Sequence, residues 1–343
     1  MTNRSLKLKN WPSAHQQAWA TAIKPGDILD GTGPASHWAE PTRDGNIYRY
    51  GQWLAFLHNH DPALLDLPPG DRCTLEVVRV YVALLQTSTA PHTVSTSVQG
   101  LVQMIQVMAP QGDWAWLRRL QNRLKRTAMP SRDKREKMLP AGLIYASSLA
   151  ELERLTCAPL TKKNLVGFRN ALMFAILSSC PIRRKNLAAL VLGTSIVRHN
   201  ERWRIRLSER DTKNHRSFDG ELPASLTSHV DHYVCDVLPR LARGKQTHGR
   251  LWLTWYGDPM TGHAIYLRMT EASPRLFGKA INPHLMRDCA ATALVDTSPD
   301  AALAARDLLG HRIWRTTERH YVHANQLEAS RKINALFSEI AKG

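Results

Sequence analysis

Several features that would mark a secreted, membrane-spanning or metal-holding chain are missing. No stretch of the 343 residues reaches the roughly 18 consecutive apolar positions of a membrane span. The opening "MTNRSLKLKNWPSAHQQAWATAIKPGDILD" has no apolar core of the kind a signal peptide needs, so a cytoplasmic location is expected. The five cysteines (Cys73, Cys157, Cys180, Cys235 and Cys289) are odd in number and far apart, and no CxxC pair occurs. That argues against a disulfide framework and a zinc site and predicts five reduced thiols, mostly packed in cores. There is no internal repeat and no long low-complexity run. Acidic residues are scarce: 29 Asp and Glu stand against 46 Lys and Arg, for a net charge of +17.

Such an excess attracts polyanions at long range and says nothing about fold. Nucleic acid is the first expectation and an anionic membrane surface the second. Apolar residues at 43% are ordinary for a globular protein, and the length allows two domains with cores of their own.

Residues 1–40 mix Gly, Pro and Trp and read as a partly ordered N-terminal arm. Residues 41–126 read as a small helical domain. Ile47, Tyr50, Leu54 and Leu57 keep helical spacing, and "PPGD" at 68–71 breaks the chain before an apolar run from Leu75 to Leu85. Val94, Val98, Leu101, Val102, Ile105 and Met108 fall on one helical face. A fourth helix, about 113–126, puts Leu117, Leu120 and Leu124 on one side. Arg118, Arg119, Arg123, Lys125 and Arg126 lie elsewhere on its surface.

"TAMPSRDKREKMLPAG", 127–142, is basic, holds two prolines and reads as a linker. The second domain, 143–343, should open with a helix capped by "SLAE", Ser148 to Glu151, which fits a capping box. "LVGFRNALMFAILSSC" is apolar enough for a core helix. Trp203, Ile205 and Leu207 then alternate with Arg202, Arg204 and Arg206, the period of a strand. "RDTKN" supplies a turn, and a second short strand should follow. The arginine face of 202–207 reads either as a contact to a phosphate backbone or as solvated charge. From about 224 onward the pattern is mostly helical. The fold class is therefore mainly α with a small antiparallel β-sheet.

Four local features stand in order along the second domain. They are "CPIRRKNLAAL" with Arg183, "TKN" with Lys213 at the tip of the expected hairpin, "NPHLMR" with His284 and Arg287 one helical turn apart, and "LLGHRIWRTTERHY" with His311 and Tyr321. Each alone has an ordinary reading: a structural ion pair, a solvated turn lysine, a surface pair, a packing tyrosine. Taken together and in this order, they resemble the tyrosine recombinase (phage integrase) family. That family carries an Arg at a helix start, a Lys in a β-hairpin, H-x-x-R, L-G-H, and a Tyr near the C-terminus. The resemblance covers about 145–325. It implies an α-rich catalytic domain at 143–343 and makes the 41–126 region similar to the family's helical, SAM-like core-binding domain.

The resemblance also implies a chemistry. A Tyr321 oxygen would attack the scissile phosphate of double-stranded DNA and leave a 3′-phosphotyrosyl link. Because that link conserves the bond energy, neither ATP, metal nor other cofactor is implied. Arg183 and Arg287 would clamp the non-bridging oxygens through planar, bidentate donors, with His311 as a third donor. Lys213 would be the general acid for the leaving 5′-oxygen, and His284 the general base or a relay for the Tyr321 proton. Arg184 is the neighbour that motif grounds set aside in favour of Arg183.

Two departures from the family pattern stand out. Asn186 occupies the position that is usually acidic, three after Arg183. One extra residue separates His311 from Tyr321, and one residue turns a helix by about 100°. After Tyr321, the stripe Ile333, Leu336, Phe337 and Ile340 suggests a C-terminal helix. In the resembled family such a helix docks on a neighbouring protomer to build a tetrameric synapse on two DNA sites, so a homo-oligomer is expected. Type IB topoisomerase activity and non-catalytic DNA binding remain the alternatives.

Overall fold

A computed structural model describes residues 5–27, 31–129, 135–212, 215 and 217–297. The chain divides into two compact units, Met1–Asp133 and Lys134–Gly343.

The first unit is all helical. It contains α1 (Ser13–Ala22), α2 (Glu40–His60), α3 (Leu75–Ser88), α4 (Pro91–Met108) and α5 (Ala115–Thr127). Its core is the set that periodicity picked out: Tyr50, Leu54 and Leu57 of α2 meet Val94, Val98, Leu101 and Ile105 of α4, all buried. The α3 helix starts at Thr74, whose side-chain oxygen accepts from the Val77 N–H, and α4 starts on Pro91, whose missing N–H costs nothing at a first turn.

The residues before α2, expected as a partly ordered arm, pack on this unit where they are described. Trp11, Trp19 and Ala22 are buried in the same core. His15 is buried too, and its Nδ1 lies 2.7 Å from the Tyr50 hydroxyl. Burial, with the nearby Arg72 guanidinium adding to it, holds His15 down to about 4. Two indole rings and an imidazole carry enough apolar surface to fix a ten-residue helix that is weakly amphipathic by sequence.

The second unit begins inside the expected linker. Met138 and Leu139 pack on its core, and α6 (Ala141–Thr156) starts at Pro140 rather than at Ser148. Ser148 sits buried in mid-helix, where its hydroxyl donates to the Ile144 carbonyl, 2.6 Å away. Glu151 is held instead by Arg154 at 2.8 Å and by Arg275 at 2.9 Å. The capping-box reading fails because α6 is already two turns old at that point. Next comes α7 (Lys162–Ser179), the expected core helix, with residues 168–177 buried without a break. Other elements surround this helix, and its buried polar pair is satisfied internally, with Arg169 donating to the Asn170 Oδ1.

After the short α8 (Arg184–Ala188), the chain forms a three-stranded antiparallel sheet in the order β1 (Ile196–His199), β2 (Arg202–Leu207), β3 (Phe218–Glu221). Ile196 pairs with Ile205, and Leu207 with Phe218. The alternation in β2 is real: Trp203, Ile205 and Leu207 are buried. Its arginine face is solvated, and because β2 is the central strand the charges also meet acidic residues of β3. Arg202 and Arg204 both reach Glu221 on β3, at 2.7 and 3.1 Å, and Arg206 lies 3.6 Å from Asp219.

A continuous helical stretch follows, made of α9 (Thr227–His232), a π-helical turn (Tyr233–Val237) and α10 (Leu238–Ala242). The unit then adds α11 (Gly262–Phe277) and α12 (Pro283–Thr297). All five cysteines are free thiols; Cys73, Cys180 and Cys289 are buried, and Cys157 and Cys235 are exposed. Among the described residues no helix is long and apolar enough to cross a membrane.

Candidate active site

The site is assembled at the C-terminal end of α7. That helix stops at Ser179, and Pro181 enforces the break because it cannot continue a helical hydrogen-bond ladder. Ile182 is buried and pins the turn. Arg183 is the residue before α8, with extended backbone (φ −68°, ψ 147°) and a half-buried side chain. Leu187 and Asn186 anchor the short helix by burial. Asn186 therefore sits on the inner face, where an uncompensated carboxylate would be costly. Arg184 turns elsewhere: its guanidinium lies over the Tyr266 ring on α11, 5.6 Å from the centroid.

The α12 helix supplies the second arginine. Asn282 caps it, its Oδ1 accepting from the backbone N–H groups of His284 and Leu285 at 3.0 Å each, and Pro283 fills the first helical position. This cap fixes where His284 and Arg287 fall. His284 is exposed on the first turn, and Arg287 is half-buried one turn on. The Arg287 Nη1 donates to the Pro181 carbonyl, two residues before Arg183. Two arginines more than a hundred residues apart in sequence thus meet at one corner of the unit.

The electrostatics register the meeting. Arg287 is lowered to about 10, first by burial and then by the positive charge of Arg183, with Asp288 opposing. It stays cationic at neutral pH. Bringing two guanidinium groups together is unfavourable unless an anion joins them, and planar donors in a fork match the oxygens of a phosphate.

The β2–β3 hairpin approaches the same region. A Cβ on Gly220 would sit 3.1 Å from the Cys180 Sγ, so β3 runs close to the end of α7. At the start of the hairpin loop, Asp211 Oδ2 accepts from the Ser208 N–H at 3.0 Å and from the Ser208 hydroxyl at 2.7 Å. These bonds, with a smaller contribution from Lys185 of α8, hold the Asp211 carboxyl below its ordinary value. The loop therefore lies beside α8, two residues along from Arg183. Thr212 is buried, and the His215 N–H donates to its carbonyl at 3.3 Å.

Of the six residues singled out by sequence, the structure brings Arg183 and Arg287 together, with His284 on the same short helix face. Lys213, His311 and Tyr321 lie outside the described residues, as does the stripe from Ile333 to Ile340. Sequence reasoning missed Asn282, although Asn before Pro is a helix-start signal. It also missed Asp211 and Lys185, which no local pattern marks.

The comparisons with known proteins bear on the same second unit. The Phage integrase family model matches residues 149–328, more than half of the chain, and the chain belongs to that family. It is 27% identical over 155 residues to the tyrosine recombinase XerC of Listeria innocua, covering 42% of this chain and 51% of the relative. It is 33% identical over 81 residues to XerC of Pseudomonas aeruginosa, covering 24% and 26%. The chain thus spans about half the length, or less, of these curated relatives. Among solved structures it resembles the XerH site-specific recombinase bound to difH substrate in a pre-cleavage complex. That match has a TM-score of 0.56 and 14% identity over 84% of this chain and 78% of that one. The post-cleavage complex of XerH with palindromic difH gives a TM-score of 0.55 and 18% identity, over 85% and 79%. At these identities the likeness is one of fold.

Proposed function

We propose that the protein is a site-specific tyrosine recombinase that cuts and rejoins duplex DNA. The observation that carries this reading is the convergence of Arg183 and Arg287 at the end of α7, tied through the Pro181 carbonyl. In this reading the two guanidinium groups take the non-bridging oxygens of the scissile phosphate, with His311 as a third donor. The Tyr321 hydroxyl oxygen attacks phosphorus. A Tyr–O–P bond forms, the bond from phosphorus to the 5′-oxygen breaks, and the leaving oxygen takes a proton from Lys213. The Tyr321 proton passes to His284. A tyrosine with a pKa of about 10 is ionised in only about one molecule in a thousand at neutral pH, so this acceptor matters. Attack by a 5′-hydroxyl of another strand reverses each step and restores the tyrosine.

The rest of the chain fits around that chemistry. The helical first unit serves as the core-binding part and the second as the catalytic part. The exposed α5 cations Arg118, Arg119, Arg123, Lys125 and Arg126 bind phosphates, since none has an ion-pair partner among the described residues. Two DNA sites are joined by a tetramer of this chain, with residues 327–343 docking in trans.

The test is a duplex carrying sequence from the flanks of this protein's own gene, nicked just past the scissile phosphate. A covalent protein–DNA adduct on a denaturing gel with wild type, absent with Tyr321→Phe, is the expected result. An adduct with both proteins would move the nucleophile elsewhere. Tight, salt-sensitive binding without an adduct in either would replace catalysis by DNA binding alone.

A further inference from the structure

The loop Thr254–Asp258 is built unlike an idle surface turn. The Thr254 hydroxyl accepts from the backbone N–H groups of Tyr256 and Asp258, each at 3.2 Å. The Gly257 N–H donates to the Thr254 carbonyl, also at 3.2 Å. Gly257 has φ +83°, and a Cβ there would come within 2.6 Å of the Ala242 carbonyl oxygen, so only glycine lets the turn press on the end of α10. Lys245 clamps it from outside through Asp258, at 2.7 Å. From inside, the buried Arg169 donates to the Leu253 carbonyl at 2.6 Å.

What this rigid turn displays is two neighbouring aromatic rings flanked by cations. The Lys162 ammonium lies 5.5 Å from the Trp255 centroid and 6.0 Å from that of Tyr256, and the Arg243 guanidinium lies 5.3 Å from Trp255. Trp255 packs partly on the core, whereas Tyr256 is 65% exposed. Lys162, Lys163 and Arg243 are exposed and have no carboxylate partner among the described residues. A solvated tyrosine held out on a fixed turn, beside a ring pinned by two free cations, has the composition of an interface hot spot.

We infer that the Thr254–Asp258 loop, with Lys162 and Arg243, is a docking surface for an acidic polypeptide segment. Carboxylates of the partner pair with Lys162 and Arg243, and an apolar side chain covers the Tyr256 ring. Two observations favour a protein over DNA. The patch includes Lys162, the first residue of α7, and Arg183 lies four residues past the last; the 18-residue helix between them is roughly 27 Å long at about 1.5 Å per residue. A phosphate backbone also uses cations and has no need of an exposed, apolar ring face. Lys162 and Arg243, with no carboxylate of their own among the described residues, call for a segment that is locally acidic.

The test uses three fluorescein-labelled probes at about 0.15 M salt, where long-range charge effects are largely screened. They are a 15-residue peptide alternating Glu with Leu and Phe, a 15-residue all-Glu peptide, and a random-sequence duplex. We expect the mixed peptide to bind about tenfold more tightly than the all-Glu peptide. Tyr256→Ser should weaken it about tenfold, and Lys162→Glu with Arg243→Glu should abolish binding. These exposed changes should leave duplex affinity within about twofold, and Arg119→Glu with Arg123→Glu on α5 should leave the mixed peptide unaffected. Failure of the mixed peptide to bind, binding indifferent to the variants, or a matching loss of duplex affinity would each overturn the inference. None of these outcomes depends on whether the protein cleaves DNA.

Discussion

Two arginine-rich elements, one in each unit, read alike in the sequence and behave differently in the fold. On α5 the cations Arg118, Arg119, Arg123, Lys125 and Arg126 are exposed and have no acidic partner among the described residues. On β2 the cations Arg202, Arg204 and Arg206 face acidic residues of β3, and Arg202 and Arg204 share Glu221. A paired cation brings little net field to an approaching polyanion, so the first face is the one we propose for phosphates and the second is a cross-strand brace. Arg183 and Arg287 are a third arrangement, in which one arginine's charge presses on another. The lesson is that a count of arginines predicts partners less well than the company each one keeps.

The largest effect should come from the pair at the end of α7. Arg287→Ala or Arg183→Ala should cut adduct formation on the order of 10²–10³-fold in single-turnover assays while duplex binding falls far less. Lysine in either place should recover only a small part, because an ammonium lacks the planar fork.

A second contrast between the units is acid sensitivity. His15 in the first unit titrates at about 4 when folded and near 6.5 when unfolded. The unfolded chain therefore binds the extra proton between these values. The stability tied to neutral His15 is intact above about pH 6.5 and is lost as pH falls towards 4, by roughly 3 kcal/mol. Denaturant unfolding at pH 7, 5 and 4 should show this slope for wild type and a flatter one for His15→Gln. In the second unit the buried Arg169, lowered to about 10 by burial, keeps its charge throughout and adds no such slope.

Salt dependence of duplex binding separates the two arginine faces directly. Arg119→Ala and Arg123→Ala should each reduce the log–log slope by about 0.9, whereas Arg202→Ala and Arg204→Ala should leave it unchanged. Equal losses from both faces would erase the distinction between them. The smallest effect should be on stability: Glu221→Gln removes an exposed carboxylate from the brace and should move the Tm by little more than measurement error.

Much of this was legible beforehand. The one-sided stripe from Val94 to Met108 and the alternation from Trp203 to Leu207 are direct readings of period, and both are buried as expected. What failed to show was tertiary. The short helix Ser13–Ala22 has little amphipathic signal, and its order comes from Trp11, Trp19 and His15 finding α2. Ser148 mimicked a cap because the S-x-x-E pattern ignores that Pro140 had already started the helix. Nor could the brace be foreseen, because the register that sets Arg204 against Glu221 depends on the length of the hairpin loop. At the site, the order of the four motifs pointed to Arg183 and Arg287, but only the fold shows what joins them. The Arg287 side chain bonds to the Pro181 carbonyl, a backbone group that no residue type encodes.

The most direct measurement asks whether the arginine pair neutralises a phosphate. Cleavage would be compared on a nicked duplex with an ordinary scissile phosphate and on one where a methylphosphonate removes the non-bridging charge. If Arg183 and Arg287 act as a clamp for that charge, Arg287→Ala should lose on the order of 10²-fold or more on the phosphate substrate and recover most of it on the neutral one. An equal loss on both substrates would show that Arg287 only holds α12 against the end of α7, and the proposed site would have no phosphate clamp.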